Sequence, residues 1–292
     1  MTVQLAIDIG GTKTLAVMVD GRAILAERKI ETPIQMTPTQ WCEAIADLVK
    51  DWRGDYDVVG LAVTGLVDKG VWSALNPKTL PVPDRFTIEQ ALQNRLRAPV
   101  RAFNDAQAAA WGEFRFGGQR ARNLFYLTIS TGIGGGTIVN GKLLTGRNGL
   151  AGHAGQLRLS GDTEDVIRIE DLASGQWMAT EASRRGYDVT ARDVFEQAQL
   201  GAPWARNIVD SSAKRVALLC RNIQLLLAPE VFVIGGSVGL AYGYLDRIRM
   251  LLSALPEAER PEIHASELGT HAGVIGAADH ARLSLNTGGG DA

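Results

Sequence analysis

Only two cysteines, Cys42 and Cys220, occur in 292 residues. That is too few for a disulfide framework or a cysteine-rich metal site. Long basic runs are absent and the formal net charge is -2, so nucleic acid is not an expected partner. No uninterrupted apolar stretch reaches the roughly eighteen residues that a membrane-spanning helix needs. The opening run Val3–Ile9 lacks a basic flank and carries Asp8 in its middle, which is not how a signal segment reads. The expected setting is therefore cytoplasmic, away from membranes. What remains is 46% apolar and 21% charged, the balance of an ordinary globular chain long enough for two cores.

Strand and turn signals alternate from the start. Residues 3–9 read as a buried strand, Gly10-Gly11-Thr12 as a break, Leu15–Val19 as a second strand, and Asp20-Gly21 as a hairpin turn into Ala23–Arg28. A helix is predicted near 38–51, a strand over Val58–Val63, a helix over 87–96, a strand over Val100–Phe103 and a helix over 105–116. A second unit opens near 122 in the same way. Leu124–Ser130 is a strand, Thr131–Gly136 a glycine-rich break, Thr137–Val139 a strand, and Asn140-Gly141 a hairpin turn into Lys142–Leu144. A long helix over 204–227, a strand over Val231–Ile234, and helices near 240–254 and 274–283 follow. The repetition at long range predicts two related α/β halves with a cleft between them. Expected boundaries are 1–118, joined by the helix at about 272–285, and 119–271, with 286–292 as a disordered tail.

Several segments carry groups suited to chemistry. In Asp8-Ile-Gly-Gly-Thr-Lys13 the glycines admit close approach of backbone N–H groups to a phosphate. Thr12 and Lys13 add a donor and a charge, and Asp8 is a hard oxygen ligand for Mg²⁺, directly or through water. The same residues would also serve a plain hairpin turn. Ser130-Thr-Gly-Ile-Gly-Gly-Gly136 repeats the arrangement in the second half, and two matched turns suit a polyphosphate better than sheet curvature alone does. Asn104-Asp105 ends a strand and begins a helix; such a residue is either a helix N-cap or a carboxylate aimed at the crevice beyond the strand ends. An alcohol kinase needs one such base and little else covalent from the protein.

Asn76 offers an amide on a loop, His153 a lone imidazole, and Glu170-Asp171 the acids of a helical first turn. Gly235-Gly236-Ser237-Val238-Gly239 would pack against a flat base or simply link strand to helix. Gly136–Lys142 falls short of a phosphate-binding P-loop because Leu143 stands where Ser or Thr is required.

The ordered set Asp8–Lys13, Asn104-Asp105, Ser130–Gly136 and Ile234–Gly239 resembles the ROK family of sugar kinases and repressors, over about residues 3–280. That resemblance implies the actin-like and hexokinase-like ATPase fold, of ribonuclease H-like topology. Ala74–Pro77, Phe103–Trp111, Lys142–Gly146 and Gly149–His153 are most similar to the N-acetylmannosamine kinases of that family. By resemblance, Asp105 is the catalytic base, and Asn76, Asn104, His153 and Glu170 contact the sugar. Gly10, Gly11, Thr12, Lys13, Thr131 and Gly132 line the phosphates of ATP, and Gly235 and Gly236 lie on its adenosine side, with Mg²⁺ assisting. The implied reaction gives N-acetylmannosamine 6-phosphate and ADP in sialic acid catabolism. Other hexoses (glucose, fructose, allose) and a catalytically weak sugar-binding protein are the alternatives. Many relatives hold a structural zinc through a cysteine-rich segment. Leu157–Ile169 has no cysteine, so no zinc is expected. Relatives are commonly homodimers, and a homodimer is expected here. Repressor relatives carry a DNA-binding domain before the first motif. Seven residues precede Asp8, so a regulator is not the expected reading.

Overall fold

The computed structural model describes residues 3–75, 85–160 and 166–286. Strand β1 (Gln4–Ile9) is buried over almost its whole length, as befits a strand with neighbours on both edges and layers on both faces. It pairs antiparallel with β2 (Lys13–Asp20), which turns into β3 (Ala23–Glu31). Exposed and half-buried positions alternate along β3, the mark of an edge strand with one wet face. Thr37 then starts α1 (Pro38–Leu48) with a capping box. Its hydroxyl accepts from Gln40 N while the Gln40 side chain accepts from Thr37 N, and Pro38 sits where no N–H is needed. Next come β4 (Val59–Val63), parallel to β1, and a short hairpin of β5 (Leu66–Asp68) and β6 (Val71–Ser73). Helix α2 (Ile88–Leu96), β7 (Val100–Asn104) parallel to β4, and α3 (Asp105–Phe116) follow. The sheet runs β3-β2-β1-β4-β7.

The next stretch contains β8 (Leu124–Ile129), β9 (Ile133–Val139) and β10 (Lys142–Leu144), an antiparallel meander. A ribbon of β11 (Arg158–Ser160) and β12 (Val166–Arg168) leads into α4 (Glu170–Ala173), α5 (Gly175–Arg184) and α6 (Ala191–Gln199). Helix α7 (Pro203–Leu227) opens on proline and closes on Ala228 in the left-handed region, just before Pro229. Strand β13 (Val231–Gly235) lies parallel to β8, and after α8 (Tyr244–Leu252) comes β14 (Ile263–Ala265), parallel to β13. This sheet runs β10-β9-β8-β13-β14. Both five-stranded sheets thus have the same order and the same senses, and the duplication read in the glycine turns extends to every strand.

Helix α9 (Ala272–Asn286) completes the fold. The chain divides into one unit of Met1–Gly117, Thr145–Ala151 and His271–Ala292, and another of Gly118–Leu144 and Gly152–Thr270. In the first unit, Leu5, Ile7, Leu61, Trp41, Trp72 and Leu92 build a core on one side of the sheet. The other side carries small residues, Ala62, Ala108 and Ala277, so that α3 and α9 lie close to the strands and to each other. At Gly276 a Cβ would overlap the Ala108 carbonyl and lie 2.7 Å from Gly112 N, so only glycine permits this approach. In the second unit Phe125, Leu127, Ile208, Val216, Phe232 and Ile234 are among the core residues.

Two local expectations change. The glycine-rich break is shorter than read from sequence, because Ile133–Gly136 belong to β9 and pair with Ile129–Tyr126. Glycine fits inside that strand since a Cβ on Gly135 would stand 2.6 Å from the Gly152 carbonyl. The helix whose first turn carries Glu170-Asp171 is short, ending before Ser174, whose hydroxyl accepts from Trp177 N and caps α5. Of the expected tail 286–292, Asn286 ends α9 and residues 287–292 lie outside the described residues, as does Asn76. Among the described residues no helix is long and apolar enough to cross a membrane.

Candidate active site

Register decides which side chains gather in the first unit. Ile9 pairs with Val63, and Val63 with Asn104, so β1, β4 and β7 end level with one another. Beyond those ends stand Gly10–Lys13, Thr64-Gly65 and Asp105, at the carboxyl edge of parallel strands where α/β proteins place ligands. Asp8, Ala62 and Phe103 are paired neighbours and share the sheet face that α3 and α9 cover.

Of the two roles left open by the sequence, the capping role falls to Asn104. Asn104 is the cap: its Oδ1 accepts from Ala106 N at 3.0 Å and Gln107 N at 3.1 Å, and its Nδ2 donates to the Gly65 carbonyl at 3.0 Å. Asp105 follows as the first helical residue, with Oδ1 accepting from Ala106 N at 2.8 Å. The residue is partly exposed. Asp8 lies among protein atoms while keeping partial solvent contact. Burial, then the charge of Asp105, push its carboxyl up from 3.8 to about 7. The two carboxylates therefore sense each other across the strand ends.

The turn between β1 and β2 is closed by Gly10 N donating to Lys13 O at 3.0 Å. Its carbonyls are engaged from behind: Gly10 O accepts from the Thr32 hydroxyl at 2.7 Å and Thr12 O from Thr32 N at 3.0 Å. Neither Gly11 N nor Thr12 N has an acceptor among the described residues. Lys13 is exposed at the start of β2.

In the second unit the turn Ser130–Gly132 is built on the same plan with different parts. Ser130 O accepts from Gly175 N at 2.8 Å and Thr131 O from Gln176 N at 3.1 Å, so the first turn of α5 takes up the carbonyls. Thr131 N and Gly132 N are likewise without an acceptor among the described residues. Glu170, at the start of α4, accepts from Ile133 N at 3.0 Å through Oε2, which ties it to the turn. Gly235 and Gly236 close β13. Gly236 has φ +85 and its backbone lies against Ile129, while Val238 N and Gly239 N both donate to Ile129 O at 3.0 Å. Ser237 Oγ stands 3.3 Å from Ser130 Oγ. The structure thus brings Thr131, Gly132, Glu170, Gly235 and Gly236 to one edge of this sheet. Half-buried His153 precedes the short turn Ala154–Gln156 alongside β9.

Three contributors escaped the sequence reading. Thr14 and Thr32 sit behind the first turn, and Gln107, buried on α3, donates from Nε2 to Gly149 O at 3.0 Å and Ala151 O at 2.8 Å. In the sequence Gln107 was visible only as part of the predicted helix over 105–116, which indicated nothing about a loop 42 residues away.

In each unit, taken by itself, a turn whose N–H groups have no acceptor among the described residues has donors suited to a phosphate. Mg²⁺ takes one or two carboxylates and otherwise water and phosphate oxygens, a demand Asp8 can meet. A cation there would also favour the ionised form that burial disfavours. Among the described residues no group of three or more His, Cys, Asp or Glu could hold a metal by itself. Cys42 and Cys220 are buried in separate cores, which pushes their thiols up to about 11 and about 12.

A family model described as "ROK family" matches residues 4–283. The chain is 47% identical over 275 residues to a bifunctional enzyme NanE/NanK of Brucella melitensis, a match covering 94% of this chain and 53% of that protein. It therefore spans about half the length of that relative. An N-acetylmannosamine kinase of Salmonella typhi is 38% identical over 280 residues, covering 94% of this chain and 96% of the relative. Among solved structures, a ROK family glucokinase from Streptomyces griseus, in complex with glucose and AMPPNP, superposes with a TM-score of 0.84 at 30% identity. That match covers 96% of this chain and 99% of the other.

Proposed function

The chain belongs to the ROK family, and from that premise we propose that it transfers the γ-phosphoryl group of ATP to the 6-hydroxyl of N-acetylmannosamine. The observation that carries the reading lies in the first unit. Asp105, a carboxylate beside the capping residue Asn104, stands level with a turn whose Gly11 and Thr12 N–H groups have no acceptor among the described residues. In the proposed step Asp105 accepts the hydroxyl proton as that oxygen bonds to the γ-phosphorus and the bond to the ADP oxygen breaks. Gly10–Lys13, Thr131 and Gly132 hold phosphate oxygens, and Gly235 and Gly236 flank the adenosine. Asp8 holds Mg²⁺, which supplies positive charge to the phosphates when bound. Asn104 orients α3, while the sugar is assigned by the family resemblance to Asn76, His153 and Glu170. The 38% identity over 94% of the chain with an N-acetylmannosamine kinase supports this acceptor. The likeness to a glucokinase favours glucose as the second reading.

ADP release measured across N-acetylmannosamine, glucose, fructose and allose tests the proposal. The highest kcat/KM is expected for N-acetylmannosamine, and a higher value for glucose would transfer the assignment. Asp105→Asn should lower kcat by about 10²–10⁴, the range for a general base; turnover within tenfold of the parent would remove Asp105 from that role. Turnover should survive a chelator that strips zinc and spares magnesium, and its loss there would overturn the zinc-free expectation.

A further inference from the structure

We infer that Thr32 is a positioning residue for the nucleotide-phosphate turn Gly10–Thr12, holding the Gly10 and Thr12 carbonyls rearward so that the N–H groups of Gly11 and Lys13 face an anion. The inference rests on the kinase reading above. Thr32 follows β3 and is 6% exposed. Its hydroxyl donates to Gly10 O at 2.7 Å and its own N–H to Thr12 O at 3.0 Å, so one residue grips both ends of the three-residue turn. A peptide plane holds C=O and N–H on opposite sides. Turning the carbonyl of Gly10 to the back therefore turns the N–H of Gly11 to the front, and anchoring Thr12 O does the same for Lys13 N.

The grip is itself braced. A threonine hydroxyl has one proton, and that of Thr32 goes to Gly10 O, so the 3.0 Å contact between Thr14 Oγ1 and Thr32 Oγ1 has Thr14 as donor. Thr14 is 2% exposed, and Thr32 6%, so the bond lies in the interior of the unit. On the other side, the next carbonyl, Pro33 O, accepts from the indole N–H of core residue Trp41 at 2.7 Å. Chain geometry at Thr32 is thus set by the core of the first unit, and the turn inherits it. This is preorganisation of donors by a rigid support. Local capping cannot account for it, since Thr32 and Gly10 are 22 residues apart.

The test compares Thr32→Val, Thr32→Ser and Thr14→Val with the parent protein. MgADP affinity by calorimetry, thermal midpoint, and KM for ATP and for the acceptor sugar are the readouts. Valine keeps the branched shape and removes the donor. Affinity for MgADP should fall about tenfold, near the upper end for one hydrogen bond, with KM for ATP rising in step. Acceptor KM should stay within about twofold of the parent value, and Thr32→Ser should restore nucleotide affinity. A purely structural role would lower the midpoint or the active fraction and leave nucleotide affinity alone; that result, or parental affinity in Thr32→Val, overturns the inference. If Thr32→Val does not fold, Thr14→Val decides. It deletes only the brace, an affinity loss of about threefold is expected, and no loss overturns the inference. A parent protein that binds MgADP but phosphorylates no sugar defeats the acceptor assignment while the Thr32 comparison stands. One that binds no nucleotide defeats both.

Discussion

Replacing Gln107 by leucine should release the segment Thr145–Ala151 without unfolding the first unit. Gln107 is 3% exposed, and its single amide nitrogen donates to Gly149 O at 3.0 Å and Ala151 O at 2.8 Å. Leucine preserves most of the volume and none of the donors. Each hydrogen bond is worth about 0.5–1.5 kcal/mol net, and a stranded buried carbonyl costs about 1–3 kcal/mol. Gly149 is buried and would bear that cost, whereas half-buried Ala151 can recruit water. With about 1–3 kcal/mol at Gly149 and about 0.5–1.5 kcal/mol at Ala151 the sum is about 1.5–4.5 kcal/mol, localised because the rest of α3 keeps its backbone bonds. At about 1.4 kcal/mol per factor of ten, local opening should increase by about 10- to 1,600-fold. Hydrogen exchange followed by mass spectrometry reads this directly, notably at Ala151 N, which donates to Thr145 O. Acceptor KM should rise as well, because Gly152-His153 continue the segment. Exchange over residues 145–151 within threefold of the parent would refute the reasoning, as would acceleration spread evenly over the chain.

The shift of Asp8 gives a pH dependence with a definite sign. Its folded value near 7 exceeds the ordinary 3.8, so between those values the folded protein holds a proton that the unfolded chain has released. Stability must fall as pH rises through that window, by a few kcal/mol in order of magnitude. The nucleotide-free, metal-free protein should melt at lower temperature at pH 7.5 than at pH 5, and Asp8→Asn should flatten the trend; an unchanged slope in that variant would remove Asp8 as its source. Gly276→Ala should cost 3 kcal/mol or more, roughly the upper range for overpacking, because the new methyl meets backbone of α3 that has no rotamer to yield. A thermal midpoint equal to the parent's would show that α9 can slide.

The site was legible to different depths. Both glycine turns stood out because turn chemistry and strand alternation are properties of adjacent residues. The boundary at Asn104-Asp105 was equally visible, but the division of labour was not. It needed the Gly65 carbonyl, which binds Asn104 Nδ2 from 39 residues away. The extent of the second turn was misread because four residues rich in glycine look like loop when their partner strand is unknown. Pairing with Ile129–Tyr126 makes them strand. Short elements such as β5, β6, β11, β12 and β14 span three residues each, less than the period that a hydrophobic pattern needs to declare itself.

What the sequence determined alone was the local grammar: where strands turn, where helices begin, and that the chain states one strand-turn-strand theme twice. Those follow from dihedral preferences, caps and alternation, which act over a few residues. What only the tertiary structure decided was how each turn is held. Thr32 braces the first, the start of α5 takes up the carbonyls of the second, and Glu170 reaches Ile133 N from 37 residues away. Those bonds join residues distant in sequence, and they exist because sheet register and core packing bring the partners within about 3 Å of each other.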